Sequence, residues 1–180
     1  EVRQMVGRLD TKETVLERLS ALKAYGQCSV VIDLIYGLPG QTMEVWEQDL
    51  ADLVSSGVDG ADLYQLNVFD GSDLNKDIAN GKVPAAATTA MQGEMFEFGR
   101  KYLDERSYRR LSAAHWSANN RERSLYNTLA KSGVSMFPFG SGAGGNVDGY
   151  GMMLHRALKP YEDMVNRGEK PFMALMKQSE

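Results

Sequence analysis

The feature that most constrains this chain is the run Ser29-Val30-Val31-Ile32-Asp33-Leu34-Ile35-Tyr36, closed by Gly37-Leu38-Pro39-Gly40. A nearly continuous apolar run of this length, stopped by Gly and Pro, predicts a central strand of a parallel sheet, buried on both faces. The flanking segments fit that reading. Upstream, Asp10-Thr11-Lys12-Glu13 reads as a capping box with Asp10 as N-cap. Val15, Leu16, Leu19 and Leu22 then form a helical apolar face, and Gly26 stands where a helix would stop. Downstream, Thr42 is placed to cap a helix carrying Trp46, Leu50, Leu53 and Val54, which Gly57 would end. A second strand is predicted over residues 61–68, a loop at 70–73, a long helix over 86–106 and a third strand over 108–115. Met91, Met95, Phe98 and Tyr102 would share one face of that long helix.

Helix and strand thus alternate through the first 115 residues, the pattern of an α/β protein with a parallel sheet or barrel. Three such units are too few to close a barrel, so an open edge, prone to pairing with another chain, is expected on the N-terminal side. Residues 119–150 change character and are rich in Asn, Ser and Gly; residues 152–165 read as a helix, and the tail as a further short one. The opening Glu1-Val2-Arg3-Gln4-Met5 reads like the middle of a domain, and the chain is expected to be a piece of a longer protein.

Charge and cysteine content narrow the function. The formal net charge is −4 and no basic stripe is visible, so nucleic acid is not an expected partner. No apolar run approaches the length of a membrane span. Cys28 is the single cysteine, which excludes an internal disulfide, suggests a cytoplasmic setting and cannot by itself hold an iron–sulfur cluster.

Several residues stand out as candidates. An ionised Asp33 in a buried strand is costly unless paired or hydrogen-bonded, and in parallel α/β folds ligands gather at the C-terminal ends of strands. A ligand-binding role and a satisfied structural carboxylate are both open on that ground. Gly140, Gly142 and Gly145 fit G-x-G-x-x-G, but no βαβ unit follows, so backbone passing close to a ligand is the better functional reading, against a surface loop. His115, after the third predicted strand, could act as acid, base or ligand, or be structural. His155, read on a helix beside Met152 and Met153, is more simply explained by packing than by iron ligation. Arg109, Arg110, Arg121 and Arg123 could meet propionate carboxylates or form a solvated face.

Arg8, Asp10-Thr11-Lys12-Glu13 and above all Ile32-Asp33-Leu34-Ile35-Tyr36-Gly37-Leu38-Pro39-Gly40-Gln41-Thr42 resemble the oxygen-independent coproporphyrinogen III oxidase superfamily of radical S-adenosylmethionine (SAM) proteins. Asp59-Gly60-Ala61-Asp62-Leu63-Tyr64-Gln65-Leu66 looks like that family's next strand. The loop from Phe137 to Asn146 departs from the family's usual glycine-rich pattern and lacks its His, and is similar instead to anaerobic haem-degrading methyltransferases of the ChuW/HutW type.

The resemblance implies the second half of a partial (β/α)6 radical-SAM barrel over residues 1–118, followed by a glycine-rich loop and an irregular, helical C-terminal segment over 119–180. It implies SAM and a 4Fe–4S cluster as cofactors, the cluster held by a C-x-x-x-C-x-x-C motif absent from this chain, and cleavage of SAM to methionine and a 5′-deoxyadenosyl radical. Arg8 and Asp33 would contact SAM, Asp33 through the ribose hydroxyls; Asn67 would lie beside the adenine; His115 would be the catalytic residue near the substrate or a second SAM; Gly140, Gly142 and Gly145 would line the same region. The expected activity is methyl transfer to haem with ring opening and iron release. Coproporphyrinogen III oxidation and a haem chaperone of the same fold are the alternatives. The expected partners are haem or a porphyrin, a flavodoxin-like electron donor and, for this chain, a second copy of itself; alone it is expected to be inactive.

Overall fold

The computed structural model describes residues 2–177, which divide after Arg123 into two compact units.

The first unit runs α1 (Val2–Met5), α2 (Lys12–Tyr25), β1 (Val31–Tyr36), α3 (Met43–Ser56), β2 (Gly60–Gln65), α4 (Asp73–Ala79), α5 (Thr89–Asp104), β3 (Arg109–Arg110) and β4 (His115–Ser117). Local chemistry sets most boundaries. Thr42 and Thr88 cap α3 and α5, each side chain accepting from an amide three residues on, while Gly26 and Gly57 close α2 and α3 in the left-handed conformation. One cap differs from expectation. Thr11, not Asp10, is the N-cap of α2, its hydroxyl accepting from the Thr14 amide, while Asp10 faces Arg18 at 3.2 Å.

The strands form a four-stranded sheet in the order β1-β2-β4-β3. β1 and β2 are parallel, as their connection through α3 requires, but β4 runs antiparallel to both β2 and β3. The third strand expected over 108–115 is therefore two short strands. The chain reverses at 111–114, where the Leu111 amide donates to the His115 carbonyl at 2.8 Å, and His115 opens β4 instead of following a strand.

α3 and α5 cover one face of this sheet. Trp46, Leu50 and Leu53 from α3, Met95 and Leu103 from α5, Ala61 and Leu63 from β2 and Trp116 from β4 make the core, each at most 1% exposed. Each fully buried large apolar side chain contributes about 2 kcal/mol of transfer free energy. The Trp46 indole N–H donates to the Met95 carbonyl at 2.8 Å, so the ring is buried without stranding its donor. The opposite face is not covered in the same way. Ile35 is 39% and Tyr64 44% exposed, and Asp33 is exposed as well, so the expectation of a strand buried on both faces fails for β1.

The second unit comprises α6 (Leu125–Lys131), β5 (Gly144–Val147), β6 (Tyr150–Leu154), α7 (Leu158–Asn166) and β7 (Phe172–Lys177). Its three strands form an antiparallel sheet in the order β5-β6-β7. Of the helix expected over 152–165, the part from Leu158 onward is α7, but its start and the helical tail are not as expected. Met152 to Leu154 lie in β6, and the tail through Lys177 is β7. The cause is the turn at Asp148-Gly149, both with positive φ (49° and 77°), the conformation that closes a two-residue hairpin. It folds β6 back on β5, and β6 then offers an edge to the tail.

Candidate functional site

The uncovered face of the first sheet collects the chemistry. Asp33 on β1 is the register partner of Asp62 on β2, and Asp62 is the partner of His115 on β4. Register partners project to the same face, so these side chains form one row across three strands. His115 Nδ1 lies 3.0 Å from Asp62 Oδ2, and Nε2 lies 3.2 Å from Glu122 Oε1. Glu122 Oε2 accepts from the Ser29 hydroxyl at 3.1 Å, which ties the row back to the entry of β1. His115 itself is only 5% exposed. The Asp33 carboxylate, by contrast, accepts no hydrogen bond among the described residues. Desolvation first, and then the Asp62 charge, push its pKa above the ordinary carboxylate value, while His115 pulls the other way. Tyr64, two residues past Asp62 on the same face, has its phenol pKa raised by burial and by the charges of Asp62 and Asp33.

Two glutamines shape the C-terminal ends of β1 and β2. Gln41 Oε1 accepts from the Gly37 and Leu38 amides at 2.8 and 3.1 Å, pinning the Gly-Leu-Pro-Gly turn. Gln92 accepts from Gln65 at 2.8 Å and donates to the Leu66 carbonyl at 3.1 Å. Gly37 must be glycine: its φ is 85° and a Cβ there would come 2.6 Å from Gln92 Nε2. An open cavity of about 370 Å³ lies at this end, lined by residues including Tyr64, Gln65, Asn67, Phe96 and Arg110.

The opposite end of β2 is a different construction. Asp59 is fully buried and receives Lys23 Nζ at 2.8 Å, the Val30 amide at 2.9 Å and Asn119 Nδ2 at 2.9 Å. Desolvation alone would raise its pKa; these three donors overcome that and hold it at about 2. The costly buried carboxylate of this fold is therefore Asp59, a structural clasp, and not Asp33.

The other candidates are dispersed. Arg8 sits in an exposed turn after α1, and its side chain makes no polar contact among the described residues. Asn67 is exposed and lines the cavity just described. Gly140, Gly142 and Gly145 belong to the second unit. Gly140 and Gly142 have positive φ, and the Gly142 amide donates to the His155 carbonyl at 2.8 Å. At Gly145 a Cβ would collide with the Met136 carbonyl oxygen and with Pro138, so the chain's own backbone requires that glycine. His155 follows β6 and is not on a helix.

Asp62, Tyr64 and Glu122 were missed among the candidates. A signal existed for Asp62: Ile32-Asp33-Leu34-Ile35 and Ala61-Asp62-Leu63-Tyr64 repeat one apolar–Asp–Leu–apolar pattern, which parallel pairing brings into register.

No protein-family model matches the chain. Over all 180 residues it is 36% identical to an anaerobilin synthase of Escherichia coli O157:H7, of which it spans 40%. It is 26% identical to the heme chaperone HemW of Lactococcus lactis, over 97% of this chain and 49% of that one. Among solved structures, coproporphyrinogen III oxidase (HemN) from Escherichia coli, a radical SAM enzyme, matches with a TM-score of 0.79 over 99% of this chain and 43% of its own, at 18% identity. At that identity the likeness establishes the fold, which is the α/β radical-SAM fold expected. The chain spans less than half the length of each of these relatives. Over its whole length the chain is thus similar to part of an anaerobilin synthase, and it shares the fold of the matching part of coproporphyrinogen III oxidase.

Proposed function

We propose that this chain supplies the SAM-holding part of a cytoplasmic radical-SAM enzyme that acts on haem without oxygen, transferring a methyl group, opening the ring and releasing iron. The observation that carries the proposal is Asp33, an unpartnered carboxylate on the uncovered face of the sheet. A carboxylate accepts from two neighbouring hydroxyls at once, which suits the ribose of SAM. The residues present do not suit a 4Fe–4S cluster, since Cys28 is the one cysteine and a cluster needs three or four thiolates. In this reading the cluster's cysteines lie outside the chain; a cluster held there, with a flavodoxin-like donor, would supply the electron for SAM cleavage. Asn67, at the cavity beyond β2, would lie against the adenine, and Arg8 would contact SAM; within the second unit, the segment holding Gly140, Gly142 and Gly145 would pass its backbone close to a ligand. His115 belongs to the same site because it shares a face and a row with Asp33. The free edge of β1 would let two copies associate, and a clean monomer at high concentration in sedimentation would contradict that.

The similarity to anaerobilin synthase favours haem as substrate, while the similarity to HemW keeps a haem-delivering chaperone as the second reading. The test is product mass. The sequence is placed in a polypeptide that also carries a cluster-binding cysteine motif, reconstituted without oxygen, and given SAM, reductant and haem. A methylated, iron-free, ring-opened tetrapyrrole is expected. Unchanged haem with intact SAM would point to the chaperone, and unchanged haem with cleaved SAM to coproporphyrinogen III as substrate.

A further inference from the structure

Asp33 and Asp62 are like charges at adjacent register positions, an arrangement that disfavours the ionised form of Asp33. A protonated Asp33 would present one of its oxygens as a donor and could no longer accept from two hydroxyls as a symmetric pair. Beyond Asp62, His115 faces a carboxylate at each ring nitrogen, at 3.0 and 3.2 Å. Both contacts are hydrogen bonds when each nitrogen carries a proton, and the ring is then a cation between two anions. Glu122 is anchored separately by Ser29, so the ring is held from both sides.

We propose that Asp62, His115 and Glu122 are positioning residues: the imidazolium, fixed by Glu122, offsets the Asp62 charge and so keeps Asp33 an ionised double acceptor for a ligand's vicinal hydroxyls. The inference rests on the reading of Asp33 as the residue that holds SAM. The titratable groups facing Asp33 are Asp62 and Tyr64 from β2, His115 from β4 and Glu122 from the segment after it. His115 on this account acts through Asp62 and does not touch the reacting atoms.

The test is the titration of the Asp33 side-chain carboxyl in this chain, followed by carbon-13 NMR without any ligand. His115→Gln should shift the Asp33 midpoint to higher pH. Asp62→Asn should shift it to lower pH, and the double variant should follow Asp62→Asn, because the charge that His115 offsets is then gone. A row that merely clasped the strands would change the melting temperature and leave the Asp33 midpoint where it was. An unmoved midpoint, or a shift in the other direction, in either folded variant overturns the proposal; if His115→Gln does not fold, Asp62→Asn decides alone. SAM affinity, measured separately on Asp33→Asn, tests the underlying reading. Midpoints that move as expected with a SAM affinity indifferent to Asp33→Asn would keep the row and remove SAM as its ligand.

Discussion

The two faces of the four-stranded sheet are made by alternate residues of the same strands, yet they do opposite work. Ala61, Leu63 and Trp116 turn to α3 and α5 and are almost wholly buried, whereas Asp33 and Tyr64 turn to the opposite, exposed side, with Asp62 and His115 beside them under Glu122. A strand's period of two lets one run of residues serve both purposes without compromise. The face packed on helices holds the fold, and the uncovered face is free to keep groups that a core would exclude. The same division appears between two aspartates. Asp59 is enclosed by three donors and Asp33 accepts from none, so one is spent on structure and the other is available to a ligand.

Substitutions can break or sharpen this contrast. The largest effect belongs to the covered face: Trp46→Ala should cost roughly 3–5 kcal/mol, read as a loss of unfolding free energy in urea, because the ring is fully buried against α5. Asp59→Asn comes next, at roughly 3 kcal/mol, since it removes the charge that pairs Lys23 and weakens the clasp on Val30 and Asn119.

Asp59 also predicts an acid limb. Its folded pKa is lowered from 3.8 to about 2. The stability it contributes, about 2 kcal/mol, is therefore present above pH 3.8 and is lost as pH falls toward 2. Acid unfolding followed by circular dichroism should lose that part of its steepness in Asp59→Asn. Gly37→Ala should cost roughly 1–3 kcal/mol through its positive φ and the collision with Gln92, and would disturb the turn at the ligand end more than the core. Each of these should act through stability. A functional loss without a stability loss is expected only from the uncovered face.

The elements of the first unit were legible where local chemistry decides them. Thr42, Gly26 and Gly57 mark helix ends by the hydrogen bonds and φ they need, and Trp46, Leu50 and Leu53 mark a buried stripe by spacing. The direction of β4 was not legible, because the two-strand reversal at 111–114 depends on what β2 offers as a partner. Nor could a buried carboxylate be told from an exposed one by its neighbours: Asp33 sits in the more apolar run, but Asp59 is the one that Lys23 and Asn119 enclose from distant positions. In the second unit Asp148-Gly149 was a readable hairpin signal, overridden by the helical propensity of Met152, Met153 and Leu154. In the site, Asp33 and His115 could be chosen from sequence. Glu122, seven residues past His115, becomes a partner only because the segment after β4 folds back to the ring.

The most direct test of the account is SAM binding by calorimetry to the anaerobically reconstituted polypeptide, comparing Asp33 with Asp33→Asn and recording the melting temperature of each. The account predicts an affinity about tenfold lower or worse for Asp33→Asn, the loss of a charge-assisted hydrogen-bonding pair, with stability changed by no more than about 0.5 kcal/mol. Equal affinities, or a loss of binding that merely tracks a loss of stability, would contradict it.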